Sequence, residues 1–280
     1  MTLQAKLLIL YAICDSFFFG GFSGRIQLGI DLNEAANRLF RIMRAQFFAF
    51  SLWAVMVLQA SGAYAENAHF SFSIMGIGAG YFQFDTVYDA RNYTIMAELK
   101  STGLVNLLRP FLYEAVARGR FSGNVFQPKS YEERARSGKK RYETWMSYRA
   151  GVPLPRKIVP PEPKDKYALD PATQKGAVDP VTALYAILRD VAPKQACKAS
   201  VYVFDGSTRA RISLDQRHTV GDQIRCQGEY RRIAGYSPKQ MAEKQAFPFV
   251  LTYGHVENGQ LQVVEVTIDT IYGVAKLQRR

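Results

Sequence analysis

The chain has 280 residues, 48% of them apolar and 13% aromatic, and a formal net charge of +12. So much aliphatic and aromatic surface excludes a disordered chain, and a mean hydropathy of -0.13 excludes a polytopic helical membrane protein. One or two globular domains remain.

The most apolar stretch is FFAFSLWAVMVL at residues 47 to 58, preceded by Met43 and Arg44 and followed by Ser61-Gly62-Ala63-Tyr64-Ala65. A short cationic start, an apolar core of about 12 residues and an Ala-x-Ala site are what export and cleavage require. Residues 43–65 are therefore expected to be a signal peptide cut before Glu66. The alternative, a transmembrane anchor, needs about 20 apolar residues. Residues 1–42 are then expected to be an extension ahead of a misassigned start, and Cys14, behind the bulky Ile13, is a poor lipidation site. Residues 66–280 are expected to form a single β domain with a net charge of +10. That balance favours anionic partners such as lipid headgroups. Apart from Lys139-Lys140-Arg141 and Arg231-Arg232 the cations are dispersed, and without an aromatic-basic or helix-turn-helix pattern nucleic acid is not an expected partner.

From His69 the apolar residues alternate every second position, which is strand periodicity. Phe70, Phe72 and Ile74 share one face of the first run, Phe82 and Phe84 of the second, and Tyr93, Ile95, Ala97 and Leu99 of the third. The turns between them are assigned to GIGAG at 76–80 and to residues 89–92, both too short for a crossover helix, so the pairing is antiparallel. A short apolar segment at 104–108 precedes strands expected at 111–118, 121–126, 129–136 and 140–149, punctuated by Gly119, Gly123, Pro128 and Gly138. Residues 151–165, with five prolines, are expected to be a long surface connection, packed along the sheet or serving as a lid.

Asp179-Pro180 opens a helix over 180–191, since Asp caps well and Pro suits the first helical position. Its apolar face, Ala183, Leu184, Ile187, Leu188 and Val191, is expected to pack on the concave side of the sheet. A hairpin with Asp205-Gly206 at its turn follows, then a strand at 222–233, a short helix capped by Ser237-Pro238, and strands at 247–256, 260–270 and 272–279. Cys197 and Cys226 are the two cysteines after Glu66, and in an exported chain a disulfide is their natural pairing. A metal pair or redox couple lacks the CxxC spacing or a nearby His. In a plain meander, alternate strands lie about 9.5 Å apart, too far for the bond. Cys197 must then sit in the loop leaving the helix, so that the bond ties helix to sheet.

His69, His218 and His255 have no partner at ligand spacing, so no metal and no cofactor are expected. GxSxG, P-loop and GxGxxG motifs are missing as well, which lowers the prospect of an enzyme. Asp85, Glu98, Glu114 and Asp205 are carboxylates that tertiary structure has the means to pair, and otherwise are solvated strand residues.

The strings DPVTALYAILRDV (179–191), VFDG (203–206), CQGEYRRIAGYSP (226–238), FPF (247–249) and TIYGVAKLQRR (270–280) resemble alphaproteobacterial exported proteins of the domain-of-unknown-function family numbered 3108. The resemblance runs over essentially all of residues 66–280. It implies a periplasmic protein of a Gram-negative envelope and brings no catalytic residue with it.

The expected fold is mainly β, a curled antiparallel sheet of about a dozen strands forming an open barrel or half-barrel, with one packed helix and one short helix. An incompletely filled concave face would take an acyl chain or other lipid-like ligand, lined by Phe70, Phe72, Phe82, Phe84, Leu184 and Leu188, with a basic rim meeting an anionic envelope component. The expected protein is non-enzymatic and not integral to the membrane. The alternative is an envelope-integrity or protein-interaction module with a filled core. A carrier requires a cavity on the order of several hundred Å³.

Overall fold

The structure is a computed structural model, and it describes residues 64–280 apart from 90, 109, 123–124, 160–166, 257–258 and 272. The expected extension and nearly all of the expected signal segment lie outside these residues, and its last two, Tyr64 and Ala65, begin the first strand.

Thirteen strands appear among the described residues. The first half comprises β1 (Tyr64–Ile74), β2 (Ile77–Tyr88), β3 (Asn92–Ser101), helix α1 (Gly103–Leu108), β4 (Phe111–Ser122), β5 (Val125–Ser137), β6 (Lys140–Arg149) and β7 (Val152–Val159). The second comprises helix α2 (Pro180–Leu188), β8 (Ala199–Phe204), β9 (Arg209–Val220), β10 (Gln223–Ala234), helix α3 (Pro238–Glu243), β11 (Ala246–His255), β12 (Leu261–Thr270) and β13 (Gly273–Arg279). Every strand pairs antiparallel with its sequence neighbour except across α2, and β1 also pairs with β13, Phe70 opposite Arg279. The result is one sheet whose edges are β7 and β8.

Curling brings those edges towards each other, and the segment ahead of α2 bridges them. Gly176 donates its N–H to Gly151 O beside β7, at 2.9 Å. Val178 donates to Tyr202 O and accepts from Phe204 N on β8, at 2.8 and 2.9 Å. The barrel is thus nearly closed, and two backbone groups of the β8 edge, Tyr202 O and Phe204 N–H, are satisfied within the chain.

Several local expectations give way to tertiary context. The first hairpin turns at Met75-Gly76 alone, and Ile77 to Gly80 belong to β2, where a Cβ on Gly80 would run into the Lys100 carbonyl and the Phe72 ring. Three expected strands between 111 and 136 are two, because Gly119 and Pro128 do not break the chain. They lie opposite each other at a bulge, where a Cβ on Gly119 would strike the Tyr93 hydroxyl and Gln127 O. The apolar segment 104–108 is helix α1. In the proline-rich connection, Val152–Val159 is an edge strand, where proline is tolerated because one side of the strand needs no N–H donors. α2 stops at Leu188 rather than 191, since Arg189 is extended and Val191 exchanges hydrogen bonds with Leu261. Asp205-Gly206 opens a four-residue connection in which Asp205 accepts from the N–H groups of Ser207 and Thr208.

The cysteines behave as expected. Cys197 lies two residues ahead of β8, its Cα is 5.2 Å from that of Cys226 on β10, and the two are bonded.

Candidate functional site

α2 is the element around which the interior is organised. Asp179 caps it, accepting from Thr182 N at 2.8 Å and from the Thr182 hydroxyl at 2.7 Å, and Pro180 takes the first helical position. Its far end is tied to three strands. Glu66 of β1 accepts from Asp190 N at 2.8 Å and from the Tyr185 hydroxyl at 2.9 Å. Asp190 in turn meets Arg279 of β13 at 3.3 Å and Gln262 of β12 at 3.4 Å. Burial pushes the Glu66 carboxyl up to about 7 against these donors, and burial also raises Asp190, which Arg279 opposes.

Held in this way, the helix divides the barrel into two unlike halves. Towards β2 and β3 the space is filled by aromatic rings, while Phe126 of β5 also borders a more polar hollow of about 160 Å³ that reaches Arg189, Lys198 and Tyr253. Tyr185 meets Phe84 edge-on at 5.6 Å and Phe126 at 5.9 Å, and the Tyr93 hydroxyl lies 3.1 Å from that of Thr182. Phe70, Phe82 and Phe84 continue this packing with centroids 6.2 to 6.4 Å apart, and Phe72 is buried with them.

Towards β8–β13 the filling is incomplete. An apolar groove of about 80 Å³ lies between Pro180, Leu184, Ile187 and Leu188 on the helix and a wall that includes Tyr230, Phe249 and Ile268. The one polar side-chain atom in that lining, the Tyr230 hydroxyl, is engaged by Tyr236 at 2.9 Å. Of the side chains expected to line a site, Leu184 and Leu188 stand at this groove, while Phe70, Phe72, Phe82 and Phe84 are in the same core but not in its lining. Sequence reasoning missed the facing wall. Its signal was present in FPF at 247–249 and in the alternation of Val266 and Ile268, but nothing local distinguishes a strand residue beside a groove from one in packed core.

The carboxylates partly meet. Glu98 and Glu114 are directly opposite across β3 and β4, and with Asp85 they line an outer-face groove of about 360 Å³ that also includes Glu132 and Arg134. Glu98 accepts from the Tyr81 hydroxyl. Asp205 is elsewhere, buried in its own turn, where burial raises it to about 6. A further buried carboxyl, Glu133, accepts from Tyr131 at 2.7 Å, whose hydroxyl lies 2.9 Å from that of Tyr113; burial holds Glu133 well above the usual carboxylate range. Among the described residues no group of three or more His, Cys, Asp or Glu is placed to hold a metal.

The family model described as "Protein of unknown function (DUF3108)" matches residues 67–240, more than half of the chain. The chain belongs to the DUF3108 family. In this DUF3108 protein the match takes in α2 and both cysteines but stops before β11. The FPF and TIYGVAKLQRR strings, and with them Phe249 and Ile268 of the groove wall, therefore lie beyond it. No curated protein matches the chain. Among solved structures it is similar to a β-barrel-like protein of the domain of unknown function DUF1849 from Brucella abortus, at 12% identity and a TM-score of 0.44, over 76% of this chain and 94% of that one. No helix among the described residues is long and apolar enough to cross a membrane.

Proposed function

We propose that this DUF3108 protein is a non-enzymatic binding protein of the Gram-negative periplasm, exported through a cleaved signal peptide, and that it takes an apolar, lipid-like group into the groove beside α2. The observation that carries the proposal is the unlike filling of the two halves of the barrel. The side facing β2 and β3 is packed with aromatic rings, while the side facing Tyr230, Phe249 and Ile268 leaves an apolar space whose lining offers no free polar atom. The disulfide fits an oxidising compartment.

Size restricts what enters. The groove of about 80 Å³ falls short of the several hundred Å³ expected of a carrier and is smaller than the ~150 Å³ apolar cavity that accommodates benzene. It therefore receives the end of one acyl chain rather than a whole lipid, with the remainder lying in the open mouth. The small volume also favours a second reading, a structural or protein-interaction module, in which the groove is a packing defect.

Native mass spectrometry of the protein purified from its cell envelope, with solvent extraction, separates the two. A co-purifying acyl species displaced by Leu184→Trp supports binding. A bare chain that shows no saturable uptake of a fluorescent fatty acid overturns it and leaves the structural reading.

A further inference from the structure

α1 is a six-residue helix, GLVNLL, with no fully buried side chain. Val105 packs partly against the core, and Asn106 is held by the Ser101 hydroxyl at 3.0 Å. Leu104, Leu107 and Leu108 are 67%, 79% and 67% exposed. They do not stand alone. Thr102, just ahead of the helix, donates to Ala79 O of β2, which places α1 beside the first hairpin, where Met75 and Ile77 are exposed. Met75 N in turn donates to Val274 O at 2.9 Å, which adds the exposed Val274. One sector of the barrel rim therefore presents apolar side chains from three successive connections, an arrangement that marks an interaction site on a globular surface.

Charge identifies the partner. On the other side of α1, Gly138 N donates to Pro110 O at 2.9 Å, bringing the turn that carries the exposed Lys139 and Lys140 against the chain leaving the helix. Lys100, Leu112, Arg136 and Arg141 are consecutive cross-strand partners, and the three cations among them are exposed. The sequence has no carboxylate from 99 to 113 or from 135 to 142, and Glu98 and Glu114 of the outer-face groove stand two residues farther along their strands from the rim. Arg136 and Arg141 are directly opposite, an arrangement that costs stability unless an anion stands before it.

We propose that this rim is a docking surface for an anionic lipid bilayer, with the α1 leucines entering the boundary between headgroups and acyl chains and the basic row meeting the phosphates. Apolar tips backed by cations are the combination interfacial binding requires. A bilayer asks for no fixed pairing geometry, which suits apolar side chains delivered by separate connections. Docking stands whether or not the groove holds a ligand.

The test is flotation of the exported protein, purified from its cell envelope, with vesicles of phosphatidylcholine alone and of phosphatidylcholine mixed with phosphatidylglycerol. The wild type is expected to float with the anionic vesicles in a salt-sensitive manner. Combined Leu104→Ser, Leu107→Ser and Leu108→Ser, and separately Arg136→Gln with Arg141→Gln, are each expected to lower that binding by roughly tenfold or more. Since the leucines are exposed, their removal should leave the melting temperature unchanged. Measured against the Trp145 emission of the unsubstituted protein, a Leu107→Trp variant should shift its emission to the blue on anionic vesicles only. Equal binding to both vesicle types, undiminished binding of the leucine variant, or a tryptophan that stays in water overturns the proposal. So does loss of self-association in the leucine variant with vesicle binding intact, which would make the face a contact between copies.

Discussion

Gly228 of β10 lies opposite Phe249 of β11, and the Phe249 ring covers the place where a side chain would stand. A Cβ at Gly228 would sit 2.7 Å from Phe249 Cδ2 and closer still to Cε2 and Cζ, a separation real Cβ atoms essentially never show. Gly228→Ala must therefore displace the ring by roughly 1 Å, and overpacking of this kind costs about 1 to 3 kcal/mol. The ring has somewhere to go, because Phe249 also lines the groove of about 80 Å³ beside α2. Relief at Gly228 should thus come out of the groove. Phe249→Leu alone removes ring contacts and should cost about 1 to 2 kcal/mol. Combined with Gly228→Ala, however, it removes the collision, so the double variant should be more stable than the sum of the single effects by about 1 kcal/mol or more. Urea denaturation of the four proteins measures this coupling, and uptake of a fluorescent fatty acid should fall in Gly228→Ala and return in part in the double variant. Strict additivity would refute the placement of Phe249 over Gly228.

Other outcomes follow from the same contacts. Cys197→Ser and Cys226→Ser should each lower stability by about 3 to 4 kcal/mol, as expected for closing a loop of about 30 residues, and the double variant should cost little more than either single one; independent effects in denaturation, or two free thiols on alkylation of exported protein, would contradict the bond. Burial raises Glu66 to about 7 and Asp179 and Asp205 to about 6, so the folded protein holds these protons more tightly than the unfolded chain. That contribution is complete below the ordinary carboxylate range and is lost as pH rises through about 7, so the protein should be more stable at pH 5 than at pH 8. Glu66→Gln, in a chain that retains Tyr64 and Ala65 ahead of it, should remove about 2 to 3 kcal/mol of that difference, and thermal melts across the range would show an unchanged slope if Glu66 were solvated. Asp179→Ala loses both bonds to Thr182 and should cost about 2 kcal/mol at pH 5; at pH 8 the cost should be smaller, because a buried charge is removed with the cap, and denaturation at the two pH values compares them.

What the sequence determined by itself is what depends on near neighbours. Period-2 alternation marked the strands from His69 onward, and side-chain caps at Asp179 and Ser237, each followed by proline, marked two helix starts that the structure keeps, the second with a full capping box. Spacing in the meander even placed Cys197 ahead of its strand, since the reach of a disulfide is a short-range constraint. Tertiary structure decided whatever rests on contacts distant in sequence. Gly119 was legible as a break and is instead the space for Tyr93. The prolines of 152–159 were legible as a loop and are tolerated because that strand is an edge. Phe84 and Phe249 show equivalent strand patterns, yet one packs on Tyr185 in a filled half and the other borders a groove. Alternation says only that a side chain points inward. What it meets there was decided when β1 paired with β13 and Glu66 met Asp190, joining the two halves of the sheet around a helix that fills one half of the interior more completely than the other.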